Sequence, residues 1–118
     1  MSTSQPQWHK NRPARTIEGI IAQCLADSER WFPDTSKDLP FQTLALAGEV
    51  GELANLVKKT VRGTNAYEAE KEHMKEEAID VLIYLCNILG LLNVDVVEAY
   101  NAKREFNSIR FGGSTPSS

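Results

Sequence analysis

Positive charge is in short supply in this chain of 118 residues: 13 lysines and arginines face 16 acids, a formal charge of −3. A protein that grips nucleic acid without sequence preference presents a basic face, so a nucleic-acid polymer is not an expected partner. Single phosphate groups stay open as ligands, because a bound cation can reverse the local sign. Cysteine is scarce. Cys24 and Cys86 both fall in helical patterns with aliphatic neighbours, which reads as two small buried apolar side chains and not as a disulfide or a metal site. Long apolar runs are missing as well. The opening MSTSQPQWHKNRPAR has none, which reads against a secretory signal. The longest apolar stretch, Ala78 to Val97, is broken by Asp80, Asn87, Asn93 and Asp95, the pattern of a buried helix and not of a membrane span. No membrane partner is expected, and the expected location is cytoplasmic. Internal repeats, sustained period-two alternation and a phosphate-binding GxxxxGK[ST] loop are also absent. Strands are therefore not expected, and phosphate binding would rest on side chains and metal.

What is present is an ordinary globular composition, 42% hydrophobic and 25% charged, of a length that fits one domain. Residues 1–15 read as an irregular arm, 16–111 as the folded domain and 112–118 as a small, polar, disordered tail. Ile17, Ile20, Ile21, Cys24, Leu25, Ser28 and Trp31 follow one helical face, with Thr16 as N-cap and Pro33 beyond the end. A second helix is predicted from about Phe41 to Arg62, capped by Asp38, with Pro40 in its first turn and Gly63 as its stop. Asn65 and Glu68 have capping-box spacing and open a third helix, to about Leu92; Asp95 and Glu98 open a fourth, to about Ile109. The fold class is all-α, a bundle of four main helices. The third helix is apolar nearly all round between Ala78 and Leu92, more than one short chain can cover. A homo-oligomer, dimer or tetramer, is the expected remedy.

Four carboxylates lie on the wrong side of their helices. Glu49 and Glu52, three apart in LALAGEVGELANLVKK, share the face of Ala45, Leu46, Leu53 and Leu56. Glu77 and Asp80 are also three apart, and Asp80 runs straight into Val81, Leu82, Ile83, Tyr84 and Leu85. An ionised carboxylate buried there without a partner costs several kcal/mol. A divalent cation between the two pairs removes both burial cost and repulsion. Oxygen ligands suit Mg²⁺, with Mn²⁺ able to take its place. By contrast, Glu68, Glu70, Glu72 and Glu76, interleaved with Lys71 and Lys75, read as a solvated face.

Candidate phosphate ligands lie further on. Lys103, Asn107 and Arg110 align on one face of the fourth helix and can line a triphosphate; a purely structural role would be to complement the helix C-terminus. Lys58, Lys59 and Arg62 are the alternative cations, with Lys59 the one assigned to substrate. Trp31, Phe32 and Phe41 are candidates to stack on a base. Core packing is the expected role of Phe32 and Phe41, which leaves Trp31 as the assigned stacking residue.

Glu49-Val-Gly-Glu52, a spacer, then Glu77-Ala-Ile-Asp80 resembles the ExxE…ExxD signature of the MazG-like nucleotide pyrophosphohydrolases, in the all-α superfamily that includes the dCTP pyrophosphatases and dimeric dUTPases. The closing VDVVEAYNAKREFNSIRFG is similar to the family's last segment, with Lys103, Asn107 and Arg110 at its K-xxx-N-xx-R positions. The resemblance covers about Phe41 to Gly112. It implies Mg²⁺ bound by Glu49, Glu52, Glu77 and Asp80, an oligomeric bundle, and hydrolysis of nucleoside triphosphates to monophosphate and pyrophosphate, a house-cleaning activity. Glu52 is the carboxylate expected to position the attacking water. The segment WFPDTSKDLPFQ departs from the dCTP pyrophosphatase pattern in lacking a histidine, so base preference is not implied. Two other classes fit less of the sequence. A di-iron bundle needs two ExxH motifs, and only Glu70…His73 is present. A non-catalytic helical interaction module would have no need of the acidic quartet.

Overall fold

Thr16, with its backbone extended, turns its hydroxyl to accept from Gly19 N at 3.0 Å and so opens the first helix, α1 (Ile17–Trp31). The structure, a computed structural model, describes residues 13–61 and 67–113. Asp38 caps α2 (Leu39–Val61), its carboxylate accepting from Phe41 N at 3.0 Å. Pro40 sits in the first turn, where no intrahelical partner is asked of it. Helix α3 (Tyr67–Leu91) ends in a Schellman closure: Val94 N donates to Leu89 O and Asn93 N to Gly90 O, with Asn93 left-handed at φ 55° in the place glycine usually takes. Asp95 then caps α4 (Val96–Gly112) by accepting from Glu98 N at 3.2 Å.

No strand occurs among the described residues, and the all-α reading holds. Two ends shift. Helix α2 starts at Leu39, because Asp38 caps one turn ahead of Phe41. Helix α4 continues through Phe111 to Gly112, and left-handed Gly113 (φ 67°) stops it, so Gly112 belongs to the helix and not to the tail. The proposed ends at Arg62, Gly63 and Asn65, most of the arm and most of the tail lie outside the described residues. No single described helix is long and apolar enough to cross a membrane.

The core is built around α3. Helix α2 packs along it most extensively, α1 packs against it less, and α4 bends away by 101°, its largest contact among the described residues being a small one with α1. Gly90 lets α1 come close: a Cβ there would stand 2.6 Å from Leu25 Cδ1. The buried set is small and strangely polar. Ile21, Leu56 and Cys86 are its apolar members, against Ser28, Ser36, Gln42 and Asn87. Large apolar side chains remain outside, among them Ile79, Ile83 and Leu85 on α3 and Val97, Tyr100, Phe106, Ile109 and Phe111 on α4. The apolar surface of α3 is thus only partly covered by the described residues of its own chain.

Candidate metal centre and adjoining cavity

Helix periodicity puts Glu49 and Glu52 one turn apart on α2, and the α2–α3 packing brings Glu77 to them. One carboxylate oxygen from each lies within 4.8 Å of the other two. Around a cation at about 2.1 Å, neighbouring ligand oxygens sit roughly 3 Å apart, so small side-chain rotations would close this trio on a hard ion. Asp80 stands next in line, close enough for its charge to act on Glu49 and Glu77. The donor set, all carboxylate oxygen, fits Mg²⁺ or Mn²⁺ and offers nothing to a soft metal.

Bringing these carboxylates together is costly, because each charged group disfavours ionisation of its neighbours. Burial pushes Glu49 up from the usual carboxylate range, and Glu52, Asp80 and Glu77 add repulsion in that order. Burial likewise raises Glu77, with Glu52 and Asp80 next, while His73 opposes the rise. His73 lies 3.7 Å from both Glu70 Oε1 and Glu77 Oε2, so the lone ExxH of the sequence flanks the acidic trio and builds no second metal site among the described residues.

The acids are less enclosed than their aliphatic neighbours suggested. Glu52 and Asp80 are exposed and Glu49 and Glu77 half-buried. The reason is that the apolar residues that marked these positions are themselves mostly half-buried: Leu56 is buried, but Ala45, Leu46, Leu53, Val81, Leu82 and Tyr84 are only partly covered, and Ile83 and Leu85 are exposed.

A cavity of about 320 Å³ opens beside Asp80, between the end of α1, the 32–38 turn and α3. Trp31, Phe32 and Phe41 line it and are all exposed, so the core role expected of Phe32 and Phe41 is corrected: the polar 32–38 turn holds them at the rim. That turn is tied down by Ser36, whose Oγ donates to Glu29 Oε1 at 2.7 Å, and by backbone bonds from Thr35 to Phe32 and from Asp38 to Thr35. Ser28, Gln42, Tyr84 and Asn87 also line the cavity and were not singled out as site residues from sequence. The available signal was a polar residue on an apolar face, Ser28 in the α1 stripe and Asn87 in the α3 run.

The cysteines read correctly as unpaired. Both are free, Cys86 fully buried and Cys24 half-buried on the cavity wall. Lys59 is exposed on α2, seven residues and two turns beyond Glu52. Lys103 and Arg110 are exposed on α4, packed over the rings of Phe106 and Phe111, with Asn107 half-buried. Helix α4 does not carry them to the carboxylates of its own chain. At about 1.5 Å per residue, Asp80 lies roughly 16 Å before the end of α3 and Arg110 roughly 21 Å beyond the start of α4, and the 101° bend between the two helices carries these positions away from one another.

Fold and site together define a class: an all-α chain whose two central helices bring three carboxylates together beside an aromatic-rimmed cavity. Comparison with known proteins points the same way. The chain is 40% identical to mouse dCTP pyrophosphatase 1 over 72 residues, covering 58% of this chain and 42% of the mouse protein. It is 39% identical to the rat protein and 38% identical to the human protein of that name, over the same shares. These matches bear out the resemblance to the MazG-like pyrophosphohydrolases, although the chain spans less than half the length of these curated relatives. No protein-family model and no solved structure matches it.

Proposed function

We propose that the chain is a cation-dependent pyrophosphohydrolase of deoxynucleoside triphosphates, splitting the α–β anhydride to give the monophosphate and pyrophosphate. The observation that carries this reading is the convergence of Glu49, Glu52 and Glu77 beside a base-sized cavity, with Asp80 at the junction. The similarity to proteins named dCTP pyrophosphatase supports it. Glu49, Glu52, Glu77 and Asp80 would hold Mg²⁺, or Mn²⁺ in its place; a bound cation neutralises and orients the triphosphate. The exposed Glu52 carboxylate is free to orient the attacking water. Trp31, at the cavity rim, stacks on the base, and Lys59 meets the phosphates from the α2 side. Lys103, Asn107 and Arg110 serve a second copy's site, for which the projecting α4 and its exposed apolar residues are the support. The working form is thus a homo-oligomer, and the task is the cleaning of a cytoplasmic nucleotide pool.

The test is incubation of purified protein with a panel of dNTPs and Mg²⁺, with chromatography of the products. Monophosphate and pyrophosphate are expected, and Glu52→Gln should abolish most turnover with helicity intact. Nucleoside diphosphate as product would overturn the bond assignment. Cation binding without turnover of any nucleotide would return the chain to a non-catalytic module.

A further inference from the structure

The cavity contains an amide whose orientation its neighbours dictate. Thr35 O is a backbone carbonyl and can only accept, and Gln42 Nε2 donates to it at 3.0 Å. The other end of that amide, Gln42 Oε1, therefore faces Asn87 and accepts from Asn87 Nδ2 at 3.0 Å. Asn87 has no freedom left. Turning its amide over would set oxygen against oxygen, so Nδ2 must face Gln42 and Oδ1 must face away. Gln42 and Asn87 are only 2% and 4% exposed, so water has little access to this relay. At its end Asn87 Oδ1 is buried and has no hydrogen-bond partner among the described residues. Asn87 lies on the wall of the cavity rimmed by Trp31, Phe32 and Phe41. A buried acceptor left without a donor costs about 1–3 kcal/mol, and native structures rarely leave one so.

We infer that Asn87 Oδ1 is the acceptor that selects the base, receiving an exocyclic amine of an amino-bearing ring: the 4-amino group of cytosine or the 6-amino group of adenine. The rest of the wall agrees. Asp27 and Asp80 are further acceptors on it, the hydroxyls of Ser28, Thr35 and Tyr84 can accept as well as donate, and no lysine or arginine is among its described lining residues. An amine facing Asn87 Oδ1 brings a donor to an acceptor, whereas a ring carbonyl at the same position sets acceptor against acceptor. Gln42 is the positioning residue, since it alone fixes which end of the Asn87 amide faces the ligand. If the relay only tied the 32–38 turn to α3, the choice of base would not depend on it.

This inference rests on the proposed triphosphate chemistry, and the test separates the two. Two substrate pairs change the amine to a carbonyl on an unaltered ring framework: dCTP against dUTP, and dATP against dITP. At least one pair should show kcat/KM higher by tenfold or more for the amine, and the pair with the faster amine names the ring. A ratio under tenfold in both pairs, with pyrophosphate still released, overturns the inference and leaves the proposed function standing. If none is hydrolysed, calorimetric binding of the α,β-methylene analogues of the same four nucleotides reads the same ratio without turnover, against the same threshold. Gln42→Met removes the lock on the amide and should collapse the preference to under threefold while the circular dichroism stays helical. Gln42→Glu, in its neutral form, can still donate to Thr35 O and accept from Asn87, and should keep the preference. A Gln42→Met protein that folds and retains the full preference would also overturn the assignment; should it fail to fold, the wild-type ratios decide alone.

Discussion

Glu49 and Glu77 are carboxyls that folding makes weaker acids, first by burial and then by the carboxylates beside them. With folded pKa values above the unfolded ones, the native state binds more protons than the unfolded chain over the mildly acid range. Stability must then fall as pH rises from the ordinary carboxylate range through the raised values. Metal-free protein is therefore expected to melt higher at about pH 5 than at pH 7.5, and Mg²⁺ should reverse the order by binding the ionised set. Thermal melts with chelator and with Mg²⁺ check this. Glu49→Gln should raise the melting temperature without metal and shrink the Mg²⁺-induced gain; a metal-free melting curve independent of pH would count against the cluster. Cys24 offers a second residue-scale outcome. Burial, aided by Cys86 and Asp27, pushes its thiol up to about 11, so at pH 8 almost none of it is thiolate despite its place on the cavity wall. Alkylation of native protein by iodoacetamide at pH 8 should be slower than for a free cysteine by well over tenfold, and modification at the free-thiol rate would refute the buried placement.

At the scale of the element, the caps and one glycine carry the outcomes. Thr16→Ala removes the acceptor for Gly19 N and should cost about 1 kcal/mol in denaturant unfolding. Gly90→Ala brings a methyl onto Leu25; overpacking of this kind costs about 1–3 kcal/mol, only partly offset by about 0.5–1 kcal/mol of better helix propensity. A stabilised Gly90→Ala protein would show that α1 and α3 do not approach so closely. The elements themselves were readable because each start is local chemistry: Thr16, Asp38 and Asp95 act on amides three residues on, inside one turn of chain. The carboxylate pairs were readable for the same reason, since three-residue spacing places side chains together on any helix. What was not readable is what two distant segments make jointly. Gln42 and Asn87 are 45 residues apart, and nothing in either segment announces the other. Phe32 and Phe41 were misjudged because hydrophobicity alone does not distinguish a cavity rim from a core. The enclosure of the acids was overestimated because an apolar neighbour was taken for a covered one.

Across the whole molecule the unsettled account is the uncovered apolar surface. Phe106 on α4 is 53% exposed in the single chain, so Phe106→Asp would cost a monomer little. In an oligomer that buries α4 the same change should block assembly, and sedimentation should then find monomer where the unmodified protein sediments as a dimer or tetramer. A stable, active, unmodified monomer at micromolar concentration would end the oligomer proposal. If α4 serves a second copy, then Arg110→Ala should lower kcat/KM by roughly 30- to 1,000-fold, the range for losing a charge-assisted contact in the transition state. Mixing Arg110→Ala with Glu52→Gln chains should recover part of the activity, because a hybrid unites intact carboxylates from one chain with an intact Arg110 from the other. No recovery on mixing would place both residues in the service of one chain.

The right-angle departure of α4 also governs how such a protein would be made. Helices α1 and α2 both pack on α3 within the chain, and those contacts can form as soon as a single copy collapses. Helix α4 makes little contact with the other described helices, its largest being a small one with α1, and a lone helix of 17 residues is marginal in water. Its consolidation therefore waits for an encounter between copies, and refolding should split into a fast phase indifferent to protein concentration and a slower one whose rate rises with it. Diluting the refolding mixture tenfold should slow the second phase about tenfold where collision limits it.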